Sequence, residues 1–253
     1  MPTYSFLDNF NLLLNKKDVT NIKKKILFLS IPRSGSTFLC DVLTKHGGLG
    51  FPEEWLNPVH INEFSKYIAP QLKGGSSLKE YCWFLLNKTS SENGYFSTNM
   101  HVYNYKWWRE KKIDWIEELG FDHVYFISRK DKYAQAYSYA LANVTADWRQ
   151  MTEKKRGKIV KEVTLLKVLE YLKIILEQEM FYEQELKSYV QREFFYEDFA
   201  GEDLEKTVQT ICEDVGISFT NISESKYKVQ RYNYDQSILK EFRNFMRTRL
   251  SFI

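Results

Sequence analysis

Lys24-Lys25-Ile26-Leu27-Phe28-Leu29-Ser30-Ile31-Pro32-Arg33-Ser34-Gly35-Ser36-Thr37-Phe38-Leu39-Cys40-Asp41 divides into three parts. Ile26 to Ile31 is an almost unbroken apolar run, which predicts a strand buried on both faces, as inside a parallel sheet. Pro32 to Thr37 predicts a turn rich in small polar residues, with one arginine. Phe38, Leu39, Val42 and Leu43 then recur at helical spacing. A strand feeding a helix through such a turn aims backbone N–H groups, and the positive end of the helix dipole, at one point. That is an anion site, and phosphate or sulfate is its usual occupant. The Walker spacing G-x-x-x-x-G-K-[ST] is absent, because Arg33 precedes the glycine where that motif has a lysine after it. A plain strand–turn–helix connection is the alternative. Against it stand four donors, Arg33, Ser34, Ser36 and Thr37, with no acid among them.

The chain has 253 residues, long enough to bury a sizeable core within a single domain spanning 1–253, with 1–21 as a peripheral N-terminal segment. A net charge of +3 does not predict nucleic-acid binding, so any anion site must be local. Cys40, Cys82 and Cys212 are far apart and odd in number, which spells neither a disulfide framework nor a metal spacing. They read as buried or idle thiols in a reducing compartment. No apolar run approaches the roughly 20 residues of a membrane span, and the N-terminus lacks a basic-then-apolar leader. The expected location is cytoplasmic.

Several later stretches carry chemistry-bearing residues. Phe51-Pro52-Glu53-Glu54-Trp55-Leu56-Asn57-Pro58 sets two acids beside a tryptophan. A helix N-terminus explains it through proline and acids in the first turn; a carboxylate projecting into a cleft is the other reading. Residues 61–91 mix helical patches with a loop at Gly74-Gly75-Ser76-Ser77, and Tyr81, Trp83, Phe84 and Leu85 read as core. Residues 94–101 predict a strand ending in His101. Val124-Tyr125-Phe126-Ile127 is another buried strand, ending at Ser128-Arg129-Lys130-Asp131 before a helix that carries Ser138. It is a second strand-to-helix switch with an arginine, and ligands of open parallel sheets sit at such carboxyl ends. An arginine paired to Asp131 is the bland alternative. The helix is expected to continue through Trp148, a stacking surface for a sugar or a buried side chain. Lys154-Lys155-Arg156-Gly157-Lys158 is a basic loop, and 159–190 predicts one long amphipathic helix with Val163, Leu166, Leu169 and Leu172 on one face, widened by Leu165, Val168, Ile175 and Leu176. That helix packs on the core or mediates a homodimer. Lys226 to Tyr234 interleaves basic and aromatic residues, and 237–250 predicts a last helix with Phe242, Phe245 and Met246 inward.

Pro32-Arg33-Ser34-Gly35-Ser36-Thr37 resembles the loop that holds the 5′-phosphosulfate of PAPS (3′-phosphoadenosine 5′-phosphosulfate) in sulfotransferases, and the fuller pattern resembles their bacterial trehalose-type carbohydrate branch. The resemblance extends over most of the chain, from about Lys25 onward. It implies the P-loop-NTPase-like α/β fold, a central parallel sheet with helices on both faces. It implies that Arg33, Ser34, Gly35, Ser36 and Thr37 hold the donor, that Arg129 and Ser138 read its 3′-phosphate, and that Arg231 lies over the same phosphate. On Pro52 and Trp55 the family's general base falls on Glu54, with Glu54, Trp55 and Trp148 toward the acceptor. His101 would orient or deprotonate the acceptor; a structural histidine is the alternative. Where the family often has a lysine two residues before that histidine, this chain has Asn99. Glu193 to Phe199 resembles the family's short strand and tyrosine–glutamate element.

The implied reaction is in-line, metal-independent transfer of a sulfuryl group from PAPS to a hydroxyl of a carbohydrate or glycolipid, leaving PAP. The competing readings are a nucleotide-dependent kinase of related fold and a non-catalytic module binding PAP or glycan.

Overall fold

The computed structural model describes residues 10, 12–71, 77–146, 148, 163–222, 240–242, 244 and 245. In chain order the elements are β1 (Lys24–Ser30), α1 (Ser36–His46), α2 (Pro58–Glu63), α3 (Leu78–Thr89), β2 (Tyr95–His101), α4 (Val102–Glu110), α5 (Trp115–Leu119), β3 (His123–Ser128), α6 (Lys132–Thr145), α7 (Leu165–Phe181), β4 (Arg192–Phe195), α8 (Tyr196–Phe199) and α9 (Leu204–Val215). The four strands form one parallel sheet in the order β2-β1-β3-β4. Ser30 is in register with His101 on one side and Ile127 on the other, while Ser128 faces Phe195.

The sheet is buried on both faces, as the apolar runs require. Leu27 and Leu29 of β1 point with Phe96, Val124 and Phe126 into a core completed by Phe84, Tyr105, Tyr137, Leu141, Val168 and Ile175 from α3, α4, α6 and α7. The alternate positions Ile26 and Phe28 point the other way, with Tyr125, Ile127 and Phe194. They meet Leu39, Val42 and Leu43 of α1 and Val208, Ile211 and Val215 of α9. Alternation along a strand thus supplies each face with its own helices. Each such fully buried side chain is worth about 1.5–3 kcal/mol.

The strand order creates a crevice. After β1 the chain turns to β2 on one side, and after β3 it turns to β4 on the other. Adjacent strands whose exits diverge leave a gap at their carboxyl ends, where ligands of such sheets bind. Residues 31–35 follow β1 and residues 129–131 follow β3, at this gap.

Several expectations shift. The long helix starts at Leu165, capped by the Thr164 hydroxyl, not at residue 159; it yields at Tyr182 to a π-turn (Tyr182–Leu186) and a 3-10 turn (Lys187–Tyr189). Val168, Leu172 and Ile175 carry its buried face. Leu166, about half a turn from Val168, and Leu176 are exposed instead. Trp83 also faces solvent while its neighbours Tyr81, Phe84 and Leu85 are buried, because only one stripe of α3 meets the sheet. Helix α6 ends at Thr145, with Ala146 in the left-handed region, so Trp148 lies beyond it. Phe242 packs inward and Phe245 does not. Arg231, Met246 and the basic loop 154–158 lie outside the described residues.

Candidate functional site

The loop after β1 is built tightly. Ser34 N–H donates to the Ile31 carbonyl at 3.2 Å, and Gln135 Nε2 donates to the Pro32 carbonyl at 2.9 Å, tying the loop to α6. Arg33 sits at φ 66°, a conformation that costs an ordinary residue about 1–2 kcal/mol. Gly35, at φ 80°, precedes the first residue of α1 and supplies no side-chain cap. A Cβ there would lie 2.5 Å from Cδ2 of Tyr196, so glycine is required by both conformation and space. The Ser34 hydroxyl is fully buried and has no hydrogen-bond partner. An unpaired buried hydroxyl costs about 1–3 kcal/mol. Beside the uncapped start of a helix, it is a donor suited to an anion's oxygen.

Arg33 reaches across the crevice mouth. Its Nε donates to Ser138 Oγ at 3.0 Å and its Nη1 to the Trp148 carbonyl at 2.7 Å. Ser138, expected with Arg129 at the 3′-phosphate, is hydrogen-bonded to Arg33. Arg129, at the end of β3, is nearly buried; its guanidinium lies 4.5 Å from the Tyr196 ring centre. The anion it approaches is Glu197, at 3.8 Å, rather than Asp131. Glu197 also accepts the backbone N–H groups of Lys130 and Asp131, at 2.8 and 3.0 Å. Asp131 instead caps α6 through the Ala134 N–H. Tyr196 thus stands between Gly35 and Arg129, joining the two arginine-bearing loops.

Across the crevice mouth from Arg129, the outer edge of β2 takes up residues 49–57. Asn99 N–H and Thr98 Oγ1 donate to the Glu53 carbonyl at 2.9 and 3.1 Å. Gly50, at φ 80°, lets this segment approach, since a Cβ would lie 2.6 Å from the Tyr95 carbonyl oxygen. Trp55 is fully buried against Phe10 and Phe51, its indole N–H donating to the Phe51 carbonyl at 2.6 Å. It is a core residue that anchors the segment, with no surface for an acceptor to touch. With Trp55 pinned, Glu54 points to His101: Oε1 lies 3.3 Å from Nε2. Asn57 Nδ2 donates to Oε2 at 3.1 Å. Burial pushes the Glu54 carboxyl up, but the charge and hydrogen bond of His101, with His60 and the Asn57 amide, outweigh it. The group is held well below the usual carboxylate range.

His101 is held in turn. Its Nδ1 lies 2.9 Å from Ser30 Oγ, which donates to Asn99 Oδ1 at 2.8 Å. Tyr103 stacks on the imidazole, ring centres 5.6 Å apart. Tyr139 responds to Arg33 and Glu54 together. Burial and Tyr171 push its phenol up, Arg33 draws it down, Glu54 raises it, and it settles at about 12. Tyr139 therefore lies within electrostatic reach of both ends of the crevice as a neutral donor. Trp148, exposed, meets it edge-on at 5.9 Å.

The site thus brings together Arg33, Ser34, Gly35 and Ser138; Arg129 flanks them through Tyr196; and Glu54 and His101 form a pair. Ser36 and Thr37 open α1. Ser30, Tyr103 and Tyr139 are not among the expected site residues. The signal for Ser30 was a lone hydroxyl closing an apolar strand; nothing local marked the two tyrosines.

No family model matches the chain, and no curated protein matches it. Among solved structures, the sulfotransferase domain from the curacin biosynthetic pathway is similar over 88% of this chain and 92% of its own, at 13% identity and a TM-score of 0.45. The sulfotransferase domain from the Synechococcus PCC 7002 olefin synthase is similar over 90% of this chain and 89% of its own, at 14% identity and a TM-score of 0.40.

Proposed function

We propose that this chain is a PAPS-dependent sulfotransferase, moving a sulfuryl group onto a hydroxyl, with a carbohydrate as the acceptor class. The observation that carries the reading is the arrangement at the β1–β3 crevice. A loop with a buried, unpartnered Ser34 hydroxyl and an arginine stands on one strand end, and a second arginine on the next. Two cationic positions fit a ligand with two separate anionic ends, and residues 32–37 resemble the family's donor loop. The fit to PAPS rests on Ser34, whose buried hydroxyl needs an acceptor, beside a loop that Gly35 lets close against Tyr196.

PAPS, when bound, supplies the sulfuryl group. Arg33, the Ser34 hydroxyl and the first amides of α1 would hold its 5′-phosphosulfate end and oppose the charge that grows on the leaving phosphate. Fixed cations and dipoles thus stand where kinases use a metal ion. Arg129, with its planar fork, would take the 3′-phosphate. Ser138, bonded to Arg33, would set that side chain's direction. Glu54 would accept the acceptor hydroxyl's proton. A carboxylate held low is ionised and open to a proton but only weakly basic. It therefore acts late, as the new O–S bond makes the hydroxyl acidic. Aromatic faces at Tyr103 and Trp148 suit a sugar ring. The single chain would act as one domain in this reaction.

The test is transfer of radiolabel from [35S]PAPS to a panel of neutral and anionic glycans. Label on a glycan, with PAP formed one for one, supports the reading. PAP binding with no transfer to any acceptor in a broad panel would favour a binding module.

A further inference from the structure

The hydroxyl of Ser30 has one proton and two neighbours. It gives that proton to Asn99 Oδ1 at 2.8 Å, so at His101 Nδ1, 2.9 Å away, it can only accept. Nδ1 must then carry a hydrogen. Nε2 is left facing Glu54 Oε1 at 3.3 Å, where attraction requires a proton between them. All three partners of this relay are buried, on the adjoining ends of β1 and β2. A buried chain of this kind leaves each member little freedom to reverse its bond.

We propose that Ser30 and Asn99 are positioning residues for the proton-accepting pair. Acting through His101, they fix Nδ1 as a donor and so load the Nε2–Oε1 contact with one proton in the resting protein. The proposal rests on the reading of Glu54 as the base. A neutral histidine brings one ring proton, and here it is committed to Ser30. The proton between Nε2 and Oε1 is therefore additional, and its release to solvent makes Glu54 a stronger acceptor for a hydroxyl's proton. The released proton goes to bulk water, and no other bond changes. If the Asn99 amide lay the other way, Nδ2 would donate to Ser30, Ser30 to Nδ1, and the neutral ring's own proton would face Glu54. The pair would then be unloaded at rest. Asn99 therefore decides how many protons the pair holds.

The other groups facing the pair are His60 and Asn57 from the α2 side, Cys40 of α1, Tyr103 of α4 and Tyr139 of α6, with Arg33 acting on Tyr139. His60 is the remaining histidine near Glu54, and its Nδ1 contacts the Glu54 carbonyl oxygen at 2.8 Å. It is the control for any titration.

The experiment is side-chain 15N NMR of the full chain across pH, with the four histidines assigned through H101Q and H60Q. The wild-type protein is expected to show Nδ1 of His101 protonated throughout, with the second, titrating proton at Nε2 beside Glu54. Loss of the shared proton on raising pH should come first at Nε2. Asn99→Asp, whose carboxylate can only accept from Ser30, should move that loss about 1–3 pH units upward. Ser30→Ala should remove the Nδ1 donor signature. A wild-type ring with a bare Nδ1 and a single proton on Nε2 would overturn the proposal, as would an N99D profile that does not move. Activity separates the two readings: the pH limb of kcat/KM on PAPS should follow the NMR titration in wild type and N99D. If the NMR behaves as stated but no PAPS turnover exists, the sulfotransferase reading falls and the relay stands.

Discussion

Arg33 Nε donates to Ser138 Oγ at 3.0 Å, joining the loop after β1 to the middle of α6. The contact converts a loop arginine in a strained conformation into a fixed one. Hydrogen bonds to charged groups are worth about 1.5–3 kcal/mol. Ser138→Ala should therefore weaken PAP by roughly 10–100-fold, through a wandering Arg33, with little change in melting temperature. Isothermal titration with PAP checks it. Unchanged affinity would leave Ser138 as packing alone.

Glu54→Gln should lower PAPS turnover by about 10²–10⁴-fold, the usual worth of a general base, while PAP still binds. Steady-state rates together with PAP titration separate chemistry from binding. Near-normal turnover would remove Glu54 from the reaction.

Glu54 also predicts a pH effect on stability. Its folded-state carboxyl is held below its ordinary value of 4.5, so the unfolded chain binds the proton more readily. Stability rises with pH where the unfolded state holds more protons. The contribution is complete above about pH 4.5 and is lost as pH falls below it. Urea midpoints measured from pH 6 to pH 3 should drop more for wild type than for Glu54→Gln. Parallel curves would deny the pairing with His101.

Gly50→Ala should destabilise the fold. The substitution meets a left-handed conformation, costing about 1–2 kcal/mol, and places a methyl 2.6 Å from a backbone oxygen of β2 that has no room to move. A lower urea midpoint at an unchanged slope is expected, with turnover falling in step because the same segment carries Glu54.

Tyr196→Leu keeps bulk beside Gly35 but removes the ring under Arg129. Cation–π contacts of this kind are worth about 0.5–2 kcal/mol. Weaker PAP binding, with adenosine 5′-phosphate less affected, would place Tyr196 as a support for Arg129. Equal losses on the two ligands would place it elsewhere.

Much of this was legible before any coordinates. The apolar runs 26–31 and 124–127 read directly as strands because both faces of a parallel sheet are buried. The donor-rich turn read as a strand-to-helix connection, and the structure has it between β1 and α1. What sequence could not supply was partnership across distance. Ser138 was expected at the 3′-phosphate with Arg129 by resemblance, and no local pattern marks that Arg33 crosses 105 positions to reach it. Trp55 was expected toward the acceptor, but one helix-free loop offers no periodicity from which to read that its ring turns inward. Leu166 misled because a leucine-rich helix looks apolar all round, and only the packed stripe shows which third is buried. The Ser30–Asn99–His101 chain joins two strands whose pairing register had first to be known.

The central claim is a donor with two anionic ends, and one titration addresses it. PAP and adenosine 5′-phosphate are titrated calorimetrically into wild type and Arg129→Ala, with ATP plus Mg²⁺ as the third ligand. PAP should bind wild type at least about tenfold tighter than adenosine 5′-phosphate, the worth of one charge-assisted phosphate contact, and Arg129→Ala should erase that margin. Equal affinity for the two adenosine ligands in wild type, or tight binding of ATP plus Mg²⁺ in place of PAP, would contradict it.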